Sequence, residues 1–120
     1  MIADIERARI AGKQVIAAQT AASYTVVGGD TGDRGKLVPL THGSACTLVV
    51  PADAVDTGWG LGDYCDVQQA GAGQITVTAG AGVTLRVGNI TAKTLAQYAT
   101  VRVQKIAVDT WLVDGTTAAS

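Results

Sequence analysis

A nine-residue phrase occurs twice in immediate succession, as AGAGQITVT from Ala70 and as AGAGVTLRV from Ala79. Each copy is a glycine- and alanine-rich turn followed by alternating apolar and polar residues, which predicts a short strand with one buried face. We expect antiparallel strands joined by tight turns. A β-helix is the alternative, but two copies are too few to bury a stacked core, and neither copy has the Asp of the calcium-binding nonapeptide. The phrase carries no catalytic acid, base or metal ligand, so it favours a structural role.

The size and composition of the chain restrict the classes of protein that remain. Its 120 residues are enough for one domain with one core, and its 15 glycines, with no Phe, favour thin sheets and many turns. The net charge of −1 removes the electrostatic driving force for binding nucleic acid. No apolar run approaches the roughly 18 residues of a membrane span, and the charged N-terminus is not a secretion signal.

The rest of the sequence predicts about eight short strands, spaced about ten residues apart. The predicted strands cover residues 23–27, 36–41, 45–50, 64–69, 74–78, 83–87, 98–106 and 110–113. Residues 52–63 and 88–96 are predicted loops, and residues 114–120 are a predicted loose tail. This spacing is typical of an all-β fold, and we expect an antiparallel β-sandwich or barrel.

Residues 1–18 are predicted to form an N-terminal arm or short helix ahead of a β-domain at residues 19–120. Acidic residues come early and basic residues late within residues 2–12, as the helix dipole favours. So short a helix is marginal alone and needs a surface on which to dock. We therefore predict an attachment or oligomerisation interface formed by Ile2, Ile5, Arg7, Arg9, Ile10, Val15 and Ile16.

Three groups of residues could carry chemistry, and each has a simpler structural interpretation. Asp30-Thr31-Gly32 matches the triplet of aspartic proteases, but it lies in a glycine-rich loop, so we predict a turn. His42 is the one histidine and lacks the partners of a catalytic triad or a zinc site. Cys46 and Cys65 form either a disulfide between neighbouring strands or two buried thiols. We predict no catalytic residue, no metal site and no cofactor.

The aromatic residues allow a glycan-binding interpretation. Trp59, Trp111 and the three tyrosines could form a platform on which sugars stack, or they could close the ends of a sandwich. Tyr24, Trp59 and Tyr98 would be the first members of such a platform to test.

Seven short segments, taken together and in their order along the chain, carry a resemblance to a known kind of domain. They are YTVV from Tyr24, GKLV from Gly35, CTLVVP from Cys46, GAGQITV from Gly71, GAGVTL from Gly80, YATV from Tyr98 and DTWLVDG from Asp109. Together they resemble a β-domain of tailed-bacteriophage virion proteins, which occurs in head-decoration and head-fibre proteins and as a tail-fibre module. The resemblance covers residues 19–116, and GAGQITV, GAGVTL and DTWLVDG are its most specific parts.

The resemblance implies a non-enzymatic building block, a homotrimeric capsid decoration protein of the cement or head-fibre kind. Such a protein would bind the outer face of the head shell and stabilise it. Its partners would be its own copies and the major capsid protein, with no nucleic acid and no membrane. It would be made in the host cytoplasm and reside on the head surface of the virion. The alternative is a tail or fibre module that binds a host-surface glycan.

Overall fold

The computed structural model describes residues 14–87, 90–94, 96–115 and 117–119. These residues form ten strands and no helix, so the predicted all-β class is confirmed. The helix predicted within residues 2–12 lies outside the described residues. The strands are β1 Ser23–Thr25, β2 Leu37–Leu40, β3 Cys46–Val50, β4 Tyr64–Gln69, β5 Ile75–Ala79, β6 Thr84–Arg86, β7 Ile90–Thr94, β8 Thr100–Ala107, β9 Thr110–Gly115 and β10 Thr117–Ala119.

Two five-stranded sheets pack against each other. Sheet A has the strand order β2-β4-β8-β9-β6, and sheet B has the order β1-β3-β5-β7-β10. The core lies between them and is built from the inward-facing residues of both sheets. Its fully buried members include Val38, Leu40, Leu48, Val50, Val67, Ile75, Val101, Val103, Trp111 and Val113. The alternation read from the sequence therefore separates the buried face from the exposed face correctly in β5 and β8.

The chain from residue 14 to β5 winds as a coil, because its successive strands alternate between the two sheets. Segment 14–19 lies parallel to β2 and β2 parallel to β4, while β1, β3 and β5 are parallel in sheet B. Each turn of the coil stacks on the previous one. One turn is 21 residues long, from Ile16 to Leu37, and the next is 29 residues long, from Leu37 to Asp66. Stacked parallel turns are the feature of the β-helix alternative, although their period here far exceeds nine residues.

The expectation of a wholly antiparallel fold is wrong. Four of the eight strand pairs in the described residues are parallel, and the antiparallel pairs join the later strands β7 to β10 to one another, to β4 and to β5. The physical reason is that alternation of side chains specifies which face of a strand is buried, but it does not specify the neighbouring strand.

The repeated phrase does not form a hairpin, and the predicted pairing of its two copies is wrong. Its strands, β5 and β6, belong to different sheets, so each AGAG turn carries the chain from one sheet to the other. The first turn stacks on the turn between β2 and β3, where the Gly73 N–H donates to the His42 carbonyl at 2.9 Å. A Cβ on Gly71 or Gly73 would collide with the backbone of His42 or Ser44, so close stacking requires glycine there.

Two strands lie where the sequence predicts irregular chain. β7 falls within the predicted loop 88–96, and β10 falls within the predicted loose tail. A buried network holds β7: the Thr94 hydroxyl donates to Gln69 and accepts the Ile75 N–H at 3.1 Å, while Gln74 donates to the Thr94 carbonyl at 2.7 Å. These partners lie about 20 residues or more away, so local pattern cannot predict the strand.

Candidate functional site

The connections from sheet B to sheet A gather at one end of the molecule, which we call the loop end. They are residues 26–36, 51–63 and 80–83, and the β8–β9 turn lies beside them. The Gly29 N–H donates to the Gly58 carbonyl at 3.0 Å, joining the first two loops. The Asp53 N–H donates to the Asp109 carboxylate at 2.7 Å, and the Thr84 N–H donates to the Asp109 carbonyl at 2.8 Å. The opposite end, formed by residues 20–22, 41–45, 70–74 and 96–99, is the corner end.

The loop end exposes a group of large apolar side chains. Of the seven that the described residues expose, five lie there: Val27, Val55, Leu61, Ile106 and Val108. Val55, Leu61 and Val108 are 78%, 69% and 73% exposed. The hydrogen bond from Asp53 to Asp109 brings the turn of Val55 beside the turn of Val108. The Gly62 N–H donates to the Lys105 carbonyl at 2.7 Å, and this bond brings Leu61 beside Ile106. Grouped exposed apolar side chains are typical of contact surfaces.

Segment 14–19, the first described part of the chain, begins at this same end. The side-chain amide of Gln14 donates to the Gly35 carbonyl at 3.1 Å and to the Asp66 carboxylate at 3.0 Å. Residues 1–13 therefore precede a segment that starts at the loop end. Of the predicted interface residues, Val15 is half-buried and Ile16 is 57% exposed in segment 14–19. The other five, Ile2, Ile5, Arg7, Arg9 and Ile10, lie outside the described residues.

Asp33 is the buried carboxylate that organises the first loop. Its Oδ2 accepts the Tyr24 hydroxyl at 2.6 Å and the Val27 N–H at 2.8 Å, and its own N–H donates to the Val27 carbonyl at 2.6 Å. Burial raises the pKa of the Tyr24 phenol, and the hydrogen bond to Asp33 raises it further. The phenol therefore stays protonated as a donor to Asp33. Sequence analysis selected Asp30 and missed Asp33, because the Tyr24 hydroxyl that Asp33 accepts lies on another element.

Asp56 joins the first loop to the second. Its carboxylate accepts the Gly28 N–H at 2.8 Å with one oxygen and the Gly58 N–H at 2.8 Å with the other. Gly28 and Gly58 approach so closely that a Cβ on either would meet the backbone of the other. Arg34 contributes further contacts, since its guanidinium donates to the Gly58 carbonyl at 3.3 Å and lies 3.6 Å from the Asp63 carboxylate.

Lys105 is a buried cation beneath the second loop. Its Nζ donates to the Trp59 carbonyl at 2.9 Å and lies 2.5 Å from the Asp53 carboxylate. A buried ammonium needs such a partner because removal from water penalises an isolated charge. The Lys105–Asp53 pair therefore ties β8 to the loop that presents Val55.

The residues considered for catalysis occupy structural positions. Asp30 lies in a turn with its side chain 74% exposed and 3.5 Å from Arg34, as the turn interpretation predicts. The Nδ1 of His42 contacts the backbone of Ser44 within the β2–β3 turn. Cys46 and Cys65 are free and buried, which confirms the interpretation as two buried thiols. Burial raises the pKa of the Cys65 thiol well above its ordinary value, and the Asp33 and Asp66 carboxylates add to this rise.

The proposed sugar-stacking platform is not assembled. Trp59 is buried and packs edge to face on Trp111 at 4.9 Å, so it closes the loop end of the core. The Tyr24 hydroxyl is bound to Asp33 in the first loop. Tyr98 is 67% exposed but lies at the corner end, so the structure brings none of these three aromatic residues together.

A small cleft lies beside Arg34 and Tyr64 at the loop end, with Gly35, Gly62 and Asp63 in its lining. Its volume of about 40 Å³ holds one or two water molecules, whereas small-molecule sites measure roughly 300–1,000 Å³. The part of the chain that the structure describes contains no group of three or more His, Cys, Asp or Glu side chains placed to hold a metal ion. Nor do the described residues form a helix long and apolar enough to cross a membrane.

Comparisons with protein-family models, with curated proteins and with solved structures find no match to this chain. The loop end therefore has to be interpreted from its own geometry.

Proposed function

We propose that this protein is a non-enzymatic structural protein of a bacteriophage virion, a capsid decoration protein that binds the outer face of the head shell and stabilises it. The observation that carries the proposal is that segment 14–19, which follows the predicted arm residues, begins at the end that exposes Val55, Leu61, Ile106 and Val108. An arm and an apolar surface on one end can contact the same partner. In this proposal the two sheets are the layers of a rigid β-sandwich that holds the loop end in shape.

The chemistry of the loop end supports binding by shape. Its carboxylates are used within the molecule: Asp33 and Asp56 bind backbone amides, and Asp53 pairs with Lys105. Burial of an exposed Val or Leu side chain contributes roughly 1.5–3 kcal/mol before ordering costs. Many copies on one shell add avidity to a modest contact. The major capsid protein and further copies of this chain are the partners that the proposal names.

Heads of the encoding phage that lack the protein provide the test. Purified protein is expected to saturate these heads, and Leu61→Asp with Val55→Asp is expected to weaken binding about tenfold or more, because two apolar contacts become charged. Ile5→Asp with Ile10→Asp tests the arm in the same way. Thr41→Asp with Ala45→Asp places the same two charges on exposed residues of the corner end and serves as the matched control. Unchanged binding by the loop-end variants, or no binding by the unmodified protein, contradicts the proposal.

A further inference from the structure

The first turn of the coil, which we call the terminal coil, consists of segment 14–19 and β1. Segment 14–19 pairs with β2 in sheet A, and β1 pairs with β3 in sheet B. Among the described residues, no strand lies on the other side of either one. The terminal coil is therefore the open edge of both sheets at once, on one side of the molecule.

The backbone hydrogen bonds show which groups face outward at this edge. The N–H groups of Ala17 and Gln19 donate to the carbonyls of Leu37 and Pro39. The Val15 carbonyl accepts the Leu37 N–H, and the Gln19 carbonyl accepts the Thr41 N–H just after β2. Because neighbouring residues of a strand point their backbone groups to opposite sides, those of Ile16 and Ala18 point away from the sheet. In β1 the Ala22 carbonyl and the Val26 N–H bond to β3, so the groups of Ser23 and Thr25 point outward.

The terminal coil is short, with three residues in β1 and two isolated bridges in segment 14–19, but it carries neither a charge nor a proline to protect the open edge. Residues 14–29 contain no Asp, Glu, Lys, Arg or Pro, and Ile16 is 57% exposed beside the edge. Natural sheets usually place a charge, a proline or a bulge on such a strand to prevent association. The other edge of sheet A does carry a charge, the exposed Arg86 of β6. Two copies of an edge without charged residues can meet without electrostatic repulsion.

We propose that the terminal coil is a self-association surface that pairs with the terminal coil of a second copy of this chain. The chain runs in opposite directions along segment 14–19 and β1, because the two lie on successive sides of one coil. A two-fold axis perpendicular to the sheets then brings each strand antiparallel to its own mate. Both sheets continue across the contact, and the outward groups of Ile16, Ala18, Ser23 and Thr25 are satisfied. The inference stands apart from head binding and specifies a dimer, in contrast to the trimer that the resemblance implies.

The mass of the full chain in solution, measured by sedimentation over a concentration series, tests the pairing. We expect a species of twice the 12.1 kDa chain mass. Ala18→Pro and Thr25→Pro each remove an outward N–H and no hydrogen bond of the protein's own sheets. Each is expected to weaken the dimer about tenfold or more, since the two-fold axis doubles the loss. Ala18→Val keeps the N–H at the same position and is expected to leave the dimer intact.

Amide hydrogen exchange gives a second readout that does not depend on the substitutions. In the dimer the amides of Ile16, Ala18, Ser23 and Thr25 are expected to be protected, and dilution to the monomer is expected to release them. A chain that stays monomeric, a trimer, or a dimer that survives both prolines overturns the proposal. Protection of the four amides in a monomer also overturns it, because a segment of the same chain then covers the edge.

Discussion

Asp33 shows how a single carboxylate can hold a glycine-rich loop in one conformation. It is 4% exposed and binds the Tyr24 side chain of β1 and the Val27 backbone amide near the start of the loop. Hydrogen bonds to a charged group contribute about 1.5–3 kcal/mol each, more than bonds between neutral groups. The first loop therefore depends on Asp33 rather than on the protease-like Asp30, which lies on the surface three residues earlier.

Replacement of Tyr24 by Phe is expected to lower the free energy of unfolding at neutral pH by about 1.5–3 kcal/mol, because Asp33 loses its phenol donor. Tyr98→Phe alters an exposed ring at the corner end and is the matched control, with an expected change within about 0.5 kcal/mol. Urea unfolding of the three proteins measures the difference. Equal stability of Tyr24→Phe and the unmodified protein would show that the bond contributes nothing.

The raised pKa of Tyr24 also predicts how stability depends on pH. A phenol whose pKa is higher in the folded than in the unfolded chain contributes stability that is complete below the unfolded value of about 10. This contribution is lost as the pH rises above that value toward the folded one. Urea midpoints measured through the alkaline range should fall less steeply for Tyr24→Phe. The pKa of the buried Cys65 thiol is also raised, so the urea midpoint of the variant should still fall by a smaller amount. Parallel plots of urea midpoint against pH for the two proteins would contradict the assignment to Tyr24.

At the scale of strands and turns, the sequence predicts where the strands lie better than it predicts which strands pair. β4 is predicted with its observed bounds, and β2, β3, β5, β8 and β9 are predicted to within two residues at each end. The alternation in β8 even places Lys105 on the same face as Val101 and Val103, where it is buried. The parallel stacking of turns could not be predicted. It depends on contacts between residues that are 21 to 29 positions apart in the sequence, and no local pattern records such contacts.

The stacked turns leave no room for a side chain at Gly73. Its Cβ position is occupied by the Ser44 backbone, so Gly73→Ala should lower the free energy of unfolding by about 3 kcal/mol, at the upper range for overpacking. Gly43 lies in the turn below with nothing within 4 Å of its Cβ position, and Gly43→Ala should change stability by less than about 0.5 kcal/mol. Denaturant unfolding compares the two. Similar costs for both alanines would contradict the stacked arrangement.

The tie between β8 and the second loop predicts an asymmetry between its two partners. Asp53→Ala leaves the buried Lys105 ammonium with the Trp59 carbonyl alone and should cost about 2–4 kcal/mol. Lys105→Met removes the charge, keeps most of the packing of the side chain and should cost about 1 kcal/mol. Lys93→Met, at an exposed residue of β7, serves as the control in the same unfolding measurements. A larger loss for Lys105→Met than for Asp53→Ala would contradict this interpretation.

At the scale of the whole molecule, two surfaces have different expected partners. The loop end combines the start of segment 14–19 with exposed Val55, Leu61 and Val108, and we propose that it faces the head shell. The terminal coil has open backbone groups and no charge, and we propose that it meets a second copy. The sequence alone predicted an interface in residues 2–16, but it could not predict the loop-end surface. That surface is assembled from three connections separated by up to about 80 residues, from Val27 to Val108, which only the fold brings together.

Imaging of phage heads that carry the bound protein tests the central proposal most directly, because the loop end has the longer connections and can be told apart from the corner end. We expect density for the two sheets to stand on the outer face of the shell with the loop end, including Val55 and Leu61, against the capsid protein. Heads that bind no protein, or molecules attached through the corner end with Val55 and Leu61 in solvent, would contradict it.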